Sequence, residues 1–164
     1  TKSFVVIFIA MLSVGCNNFK QEKFQASDKS MTRLNVSVGK GIKYYDYSLL
    51  VKELGTELAL LNKKDFSKAE LQYYQTCFGI YNVYSDAHSL WAESFKLSRI
   101  YGSDTWFYIG ENNLILSILS KYNLKPDSRF EDGVQKYIIN LDSVLNLIWF
   151  ETSFQFLELE KLKS

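Results

Sequence analysis

Residues 66–81, FSKAELQYYQTCFGIY, decide the fold. Ser67 and Glu70 stand at the spacing of a capping box. The Ser67 hydroxyl accepts the N–H of Glu70, and the Glu70 carboxylate accepts that of Ser67, so two orphan donors at a helix start are satisfied at once. Phe66 and Leu71 flank the box at the positions of a hydrophobic staple. Beyond it Leu71, Tyr74, Phe78 and Tyr81 recur at three- and four-residue steps, the period of one helix face.

The same period extends in both directions. Upstream, Tyr47, Leu50, Val51, Leu54, Leu58 and Leu61 share a face, with Glu53 and Glu57 on another. Downstream, Ser85 or Asp86 is suited to cap a third helix carrying Leu90, Trp91, Leu97 and Tyr101, which Gly102 would stop. Ser103 or Asp104 would open a fourth, through Trp106, Phe107, Leu114, Ile118, Leu119 and Tyr122, ended by Asn123 and Pro126. Ser128 to Glu131 repeats the capping-box spacing. A last helix then follows Val134, Ile138, Leu141, Leu145, Ile148, Phe156, Leu159 and Leu162. Unbroken, it would reach about 50 Å at 1.5 Å per residue. A break near Asp142 or Thr152 is compatible with the same pattern. The expected fold class is therefore all-α: a bundle of about five helices, mostly antiparallel, with a long C-terminal helix.

The chain has 164 residues, enough for one domain with a core that needs no staples. Aromatic residues make up 16% of it. That excess suits a core of Phe and Tyr, or a surface that meets a partner, a sugar or a lipid. Basic and acidic side chains number 19 and 18. Nucleic-acid binding needs a basic excess to displace counterions, so that function class is excluded.

Residues 1–15 have another character. Lys2 is followed by an apolar run, Phe4 to Leu12, and then by Ser13, Val14, Gly15 and Cys16. About a dozen apolar residues are too few for a permanent span, which needs about 20, and suit the core of a secretory signal. Gly15-Cys16 resembles the lipobox of bacterial lipoproteins, although Ser13 stands where that family usually has Leu. The resemblance covers the first sixteen residues and implies cleavage before Cys16, a lipid (diacylglyceryl, then a fatty acid such as palmitate) on Cys16, and a place in the cell envelope. Asn17, rather than Asp, after the cysteine points to the outer membrane over the inner. The expected organisation is a signal peptide over 1–15, a lipid-anchored flexible tether over 16–43 and a helical domain over 44–164. The tether's basic residues, Lys20, Lys23, Lys29, Arg33, Lys40 and Lys43, would face anionic headgroups or simply solvent. Leu34, Val36 and Val38 alternate there like an extended arm or short strand.

Catalytic chemistry finds little support. His88 is the single histidine, so metal sites of the zinc or di-iron type lack ligands, and no metal or other cofactor is expected. No nucleophile elbow or phosphate loop occurs. Cys77, left alone once Cys16 is lipidated, reads as a buried inert thiol. His88 reads as packing beside Trp91 rather than as a general base. Carboxylate pairs such as Glu53/Glu57, Asp104/Glu111 and Glu131/Asp132 could serve glycan hydrolysis, but most helices offer such spacings. Three acids near tryptophans in sequence are better pocket or interface candidates: Glu93 by Trp91, Glu111 by Trp106 and Glu151 by Trp149. Buried, such an acid would have a raised pKa. The expected function is binding of another envelope protein, as an adaptor, assembly factor or inhibitor. The alternatives are a binder of a lipid or other apolar ligand and a carboxylate-dependent cell-wall glycan hydrolase.

Overall fold

The computed structural model describes residues 19–163, so the expected signal peptide, Cys16 and Asn17 lie outside the described residues. The order of elements is α1 (Gln25–Gly39), α2 (Tyr44–Ala59), α3 (Lys68–Ser94), β1 (Ser98–Arg99), β2 (Trp106–Tyr108), α4 (Asn113–Lys121), β3 (Asp127–Glu131), β4 (Val134–Asn140) and α5 (Leu141–Lys163). Short 3-10 turns precede α1 and α3. The fold is mostly helical but not purely so: a four-stranded antiparallel sheet in the order β1-β2-β4-β3 corrects the all-α expectation.

Helix α2 forms where its period placed it, and Tyr47, Leu50, Val51, Leu54 and Leu58 are all buried. The capping box also forms. Ser67 Oγ accepts the Glu70 N–H at 3.2 Å, and Glu70 Oε2 accepts the Ser67 N–H at 2.7 Å. The staple does not form as expected: Leu71 is exposed, and Phe66 packs on Phe24 and Tyr74 instead.

Two expected helices are one. Helix α3 runs 27 residues without interruption through Ser85 and Asp86. Such residues disfavour a helix interior because their side chains compete for the backbone. Here Ser89 Oγ bonds back to the Ser85 carbonyl, and the Asp86 carboxylate is engaged by Lys121 and Tyr122 from α4. The buried face also differs from the expected one. Tyr73, Tyr74, Cys77, Ile80, Tyr84, Ala87 and Leu90 are inside, while Leu71 and Phe78 face out.

The expected tether is folded from the 3-10 turn at Gln21 onward. Helix α1 buries Ser27, Ser30, Met31 and Leu34, preceded by fully buried Phe24. The three- and four-residue steps from Phe24 through Ser27, Met31 and Leu34 to Val38 carry this helix, and serines in the seam let its backbone approach its neighbours. Tyr73 donates to Asp28 at 2.7 Å and Tyr84 to Asn35 at 3.2 Å, tying α3 to α1. Arg33 pairs with Glu53 across α1 and α2. The expected extended arm at Leu34 to Val38 is thus helical as well.

The sheet replaces the start of the expected fourth helix and the first turns of the fifth. Trp106-Phe107-Tyr108 is a run of strand-forming aromatics and pairs with β4 through Phe107 opposite Ile139. Asp132 and Gly133 both have positive φ, the conformation of a two-residue hairpin turn joining β3 to β4. Strand β4 passes into α5 without a loop. Asn140 Oδ1 accepts the Ser143 N–H at 2.9 Å, capping the helix that the strand becomes. Helix α4 starts late, capped by Asn112, and ends where expected. Asn123 is left-handed, and the Leu124 N–H returns to the Leu119 carbonyl at 2.8 Å. One core joins helices and sheet, with Phe107, Ile109 and Ile139 packed among the buried side chains of α2, α3 and α5.

Glu70 also sets an acid limit on stability. Burial opposes its charge, but Lys23 at 2.8 Å and the Ser67 hydrogen bonds outweigh burial and lower its pKa from 4.5 to about 2. As pH falls, the unfolded carboxylate takes up its proton first. The stability it contributes is therefore complete above its unfolded pKa and is lost as pH falls toward its folded one. Urea unfolding between about pH 5 and pH 2 should show a steeper loss for the natural chain than for Glu70→Gln. Equal slopes would remove Glu70 from this role.

Candidate functional site

Tryptophans Trp91 and Trp149 meet, although α3 and α5 are far apart in sequence. Their ring centroids are 6.1 Å apart with planes at 59°. Tyr47 of α2, fully buried, holds the pair in place. Its hydroxyl accepts the Trp149 Nε1–H at 3.0 Å and donates to the Tyr84 carbonyl at 2.8 Å. Tyr47 also lies against both indoles, at 5.6 Å from each. Desolvation raises the Tyr47 pKa well above that of a free phenol, so it stays a neutral donor. Around these rings runs a groove of about 230 Å³, lined by Val38, Ile42, Trp91, Asp142, Asn146 and Trp149 among others. A second hollow of about 230 Å³ shares Trp91 and Asp142 and adds Phe95 and Phe107.

The acids named with the tryptophans take other partners. Glu93 pairs with Lys96 at 2.7 Å and accepts from Asn112 Nδ2 at 3.0 Å, which holds its carboxyl below the ordinary range. Since Asn112 Oδ1 caps α4, Glu93 positions a helix start. Glu111 is exposed in the turn before α4, and Glu151 is exposed on α5. Trp106 lies on β2, opposite Asn140. Of the six candidates, only Trp91 and Trp149 share a site on these observations.

His88 stacks on Tyr44 and lies within hydrogen-bond distance of Tyr44 Oη and Ser48 Oγ, at 3.2 and 3.0 Å. Burial lowers its pKa, which keeps the ring neutral within the packing. Cys77 is fully buried, and burial pushes its thiol up, away from reactivity. The nominated carboxylate pairs are each tied to a cation: Glu53 to Arg33, Asp104 to Arg99 and Glu131 to Lys136. Among the described residues no group of three or more His, Cys, Asp or Glu is placed to hold a metal ion.

The outer face of α5 has no protein cover among the described residues. Leu147, Phe150, Phe154 and Leu157 are 52%, 59%, 59% and 62% exposed. They follow three-, four- and three-residue steps, so they form one stripe opposite the buried face of Leu141, Leu145, Ile148, Thr152 and Leu159. Phe150 and Phe154 meet edge to face at 5.7 Å. Exposed Glu151 and Glu158 border the stripe on one side, and Ser153 and Glu160 on the other. In sequence this outer period overlaps the inner one of Leu141, Leu145, Ile148 and Leu159, which masks it.

No known family model, curated protein or solved structure matches this chain. Among the described residues no helix is long and apolar enough to cross a membrane.

Proposed function

We infer that the chain is a bacterial envelope lipoprotein, anchored through a lipid on Cys16, whose folded domain binds another envelope protein through the outer face of α5. One observation carries the binding half of this reading: α5 is apolar on two opposite faces, and only one of them is used by the core. Monomeric proteins rarely leave a contiguous aromatic stripe in water, and such stripes mark contact surfaces. The span from Leu147 to Leu157 is about 15 Å, the length that a docked helix contacts over two heptads' anchors.

The borders of the stripe select the occupant. Glu151 stands on one margin, and Glu158 and Glu160 on the borders are paired with Lys161 and Lys163 at 3.9 and 3.0 Å, so the rim carries no basic excess for an anionic lipid surface. The apolar stripe with this mixed-charge rim favours a partner helix with apolar residues at three- and four-residue steps and charged residues beside them. The anchor half of the reading rests on Gly15-Cys16 and on the apolar run before it. Asn17 favours the outer membrane.

The test uses the full chain in a bacterial envelope, labelled with a radioactive fatty acid and crosslinked in place. The expected result is a labelled chain joined to one protein at near-equal amounts. Cys16→Ala should lose the label and the membrane fraction, and with them most of the encounter. An unlabelled natural chain would remove the anchor, and a labelled chain with no crosslinked partner would remove the binding function.

A further inference from the structure

We propose that the groove floored by Trp91 and Trp149 is a receptor for an alkylammonium group. The two indoles, 6.1 Å apart with planes at 59°, form an aromatic corner rather than a flat stack. An aromatic face carries negative charge density and attracts a cation within about 6 Å of its centroid. The Trp149 Nε1–H is already given to Tyr47, so the ring is fixed before any ligand arrives.

Asp142 and Asn146 lie one turn apart on α5 and line the same groove. Among the described residues neither side chain has a hydrogen-bond or ion-pair partner, whereas the nominated acids Glu53, Glu93, Asp104 and Glu131 are all engaged. The groove's own lining contains no basic side chain, and Arg99, which lines the adjoining hollow that shares Asp142, is paired with Asp104 at 3.2 Å. Two aromatic walls, one unpaired carboxylate and a neighbouring arginine already engaged by Asp104 favour a positive ligand over a neutral sugar or an anion. A volume of about 230 Å³ lies below the usual range for larger organic ligands and suits a small cationic head on a short stem.

The same chemistry has two sources: a lysine side chain of a bound protein, and the trimethylammonium headgroup of a lipid. The groove lies beside the apolar stripe but does not include it, so this inference stands or falls separately from the protein-binding function.

The test titrates the whole folded domain with choline, with its uncharged carbon analogue 3,3-dimethylbutanol, and with Nα-acetyl-lysine methylamide. Indole Nε1–H signals of Trp91 and Trp149 are followed by NMR. The expected result is saturable shifts with at least one of the two cations and none with the neutral analogue. Asp142→Asn, at an exposed position in the first turn of α5, should weaken binding about threefold, the scale of a solvent-exposed counter-charge. Trp91→Leu should abolish the shifts at Trp149 while the circular dichroism spectrum stays unchanged. Tighter binding of the lysine amide assigns the groove to a protein ligand, and tighter binding of choline to a lipid headgroup. Equal binding of the neutral analogue, or no saturable shift with either cation, overturns the proposal.

Discussion

Glutamate at both Phe150 and Phe154 should weaken partner capture by at least about a hundredfold and leave the folded domain nearly as stable as before. Each ring is 59% exposed, so folding gains little from either. The loss on substitution is their edge-to-face contact, about 1 kcal/mol, plus about 0.5 kcal/mol for each new like-charge pair four residues apart, between positions 150 and 154 and between 154 and Glu158. Glutamate is a good helix former, so the backbone of α5 has no reason to break. In a domain of this size such a change, about 2 kcal/mol in all, moves the melting midpoint by about 4–8 °C. At an interface the same rings are central aromatic anchors, each worth about 2 kcal/mol or more on truncation. Two added carboxylates also extend an acidic margin into the apolar seam and repel anything held by that seam. Thermal melts and crosslinked capture of the two chains, run side by side, check both halves. Unfolding of the double variant would mean that the rings serve the core. Unchanged capture would mean that the stripe is not the docking face.

The second large effect lies inside. Tyr47→Ala should cost about 4 kcal/mol, since it empties the centre of the aromatic cluster between α2, α3 and α5. Tyr47→Phe separates shape from hydrogen bonding. It keeps the ring but strands the Trp149 Nε1–H and removes the donor to the Tyr84 carbonyl, costing about 2 kcal/mol. Urea unfolding of the three chains gives the ordering directly. If Tyr47→Phe matched the natural chain, the hydroxyl would not be what fixes Trp149, and the rigid floor of the groove would lose its basis.

How far the sequence could be read depended on which signals are local. The Ser67–Glu70 box and the α2 stripe were legible because each sets its own structure within a few residues. Asn123 stopped α4 where expected for the same reason. Helix α1 was not legible by composition. Its seam uses Ser27 and Ser30 where apolar side chains are the usual sign, and the polar residues around it resemble a tether. Asp86 looked like a helix start because its partners, Lys121 and Tyr122, lie on a helix that only the fold brings near.

The sheet had a readable mark in Asp132-Gly133, a two-residue turn between strand-length runs. Ile138, Ile139 and Leu141, with only Asn140 between them, hid the passage from strand to helix, where alternate and helical periods overlap. Of the candidate site, the tryptophans were visible and their pairing was not. Trp91 meets Trp149 only because α3 and α5 pack along their length. Glu93 was paired with Trp91 by proximity in sequence, yet its carboxylate turns to Lys96 and Asn112.

A photocrosslinking scan along α5 is the most direct test of the binding function. A photoreactive residue is placed in turn at positions 146, 147, 150, 153, 154 and 157 of the full-length chain in its envelope. Crosslinks to one partner strongest at 147, 150, 154 and 157, and weaker at the flanking positions 146 and 153, would trace the helical stripe and support docking through it. Crosslinks spread evenly over all six positions, or none at any, would contradict it.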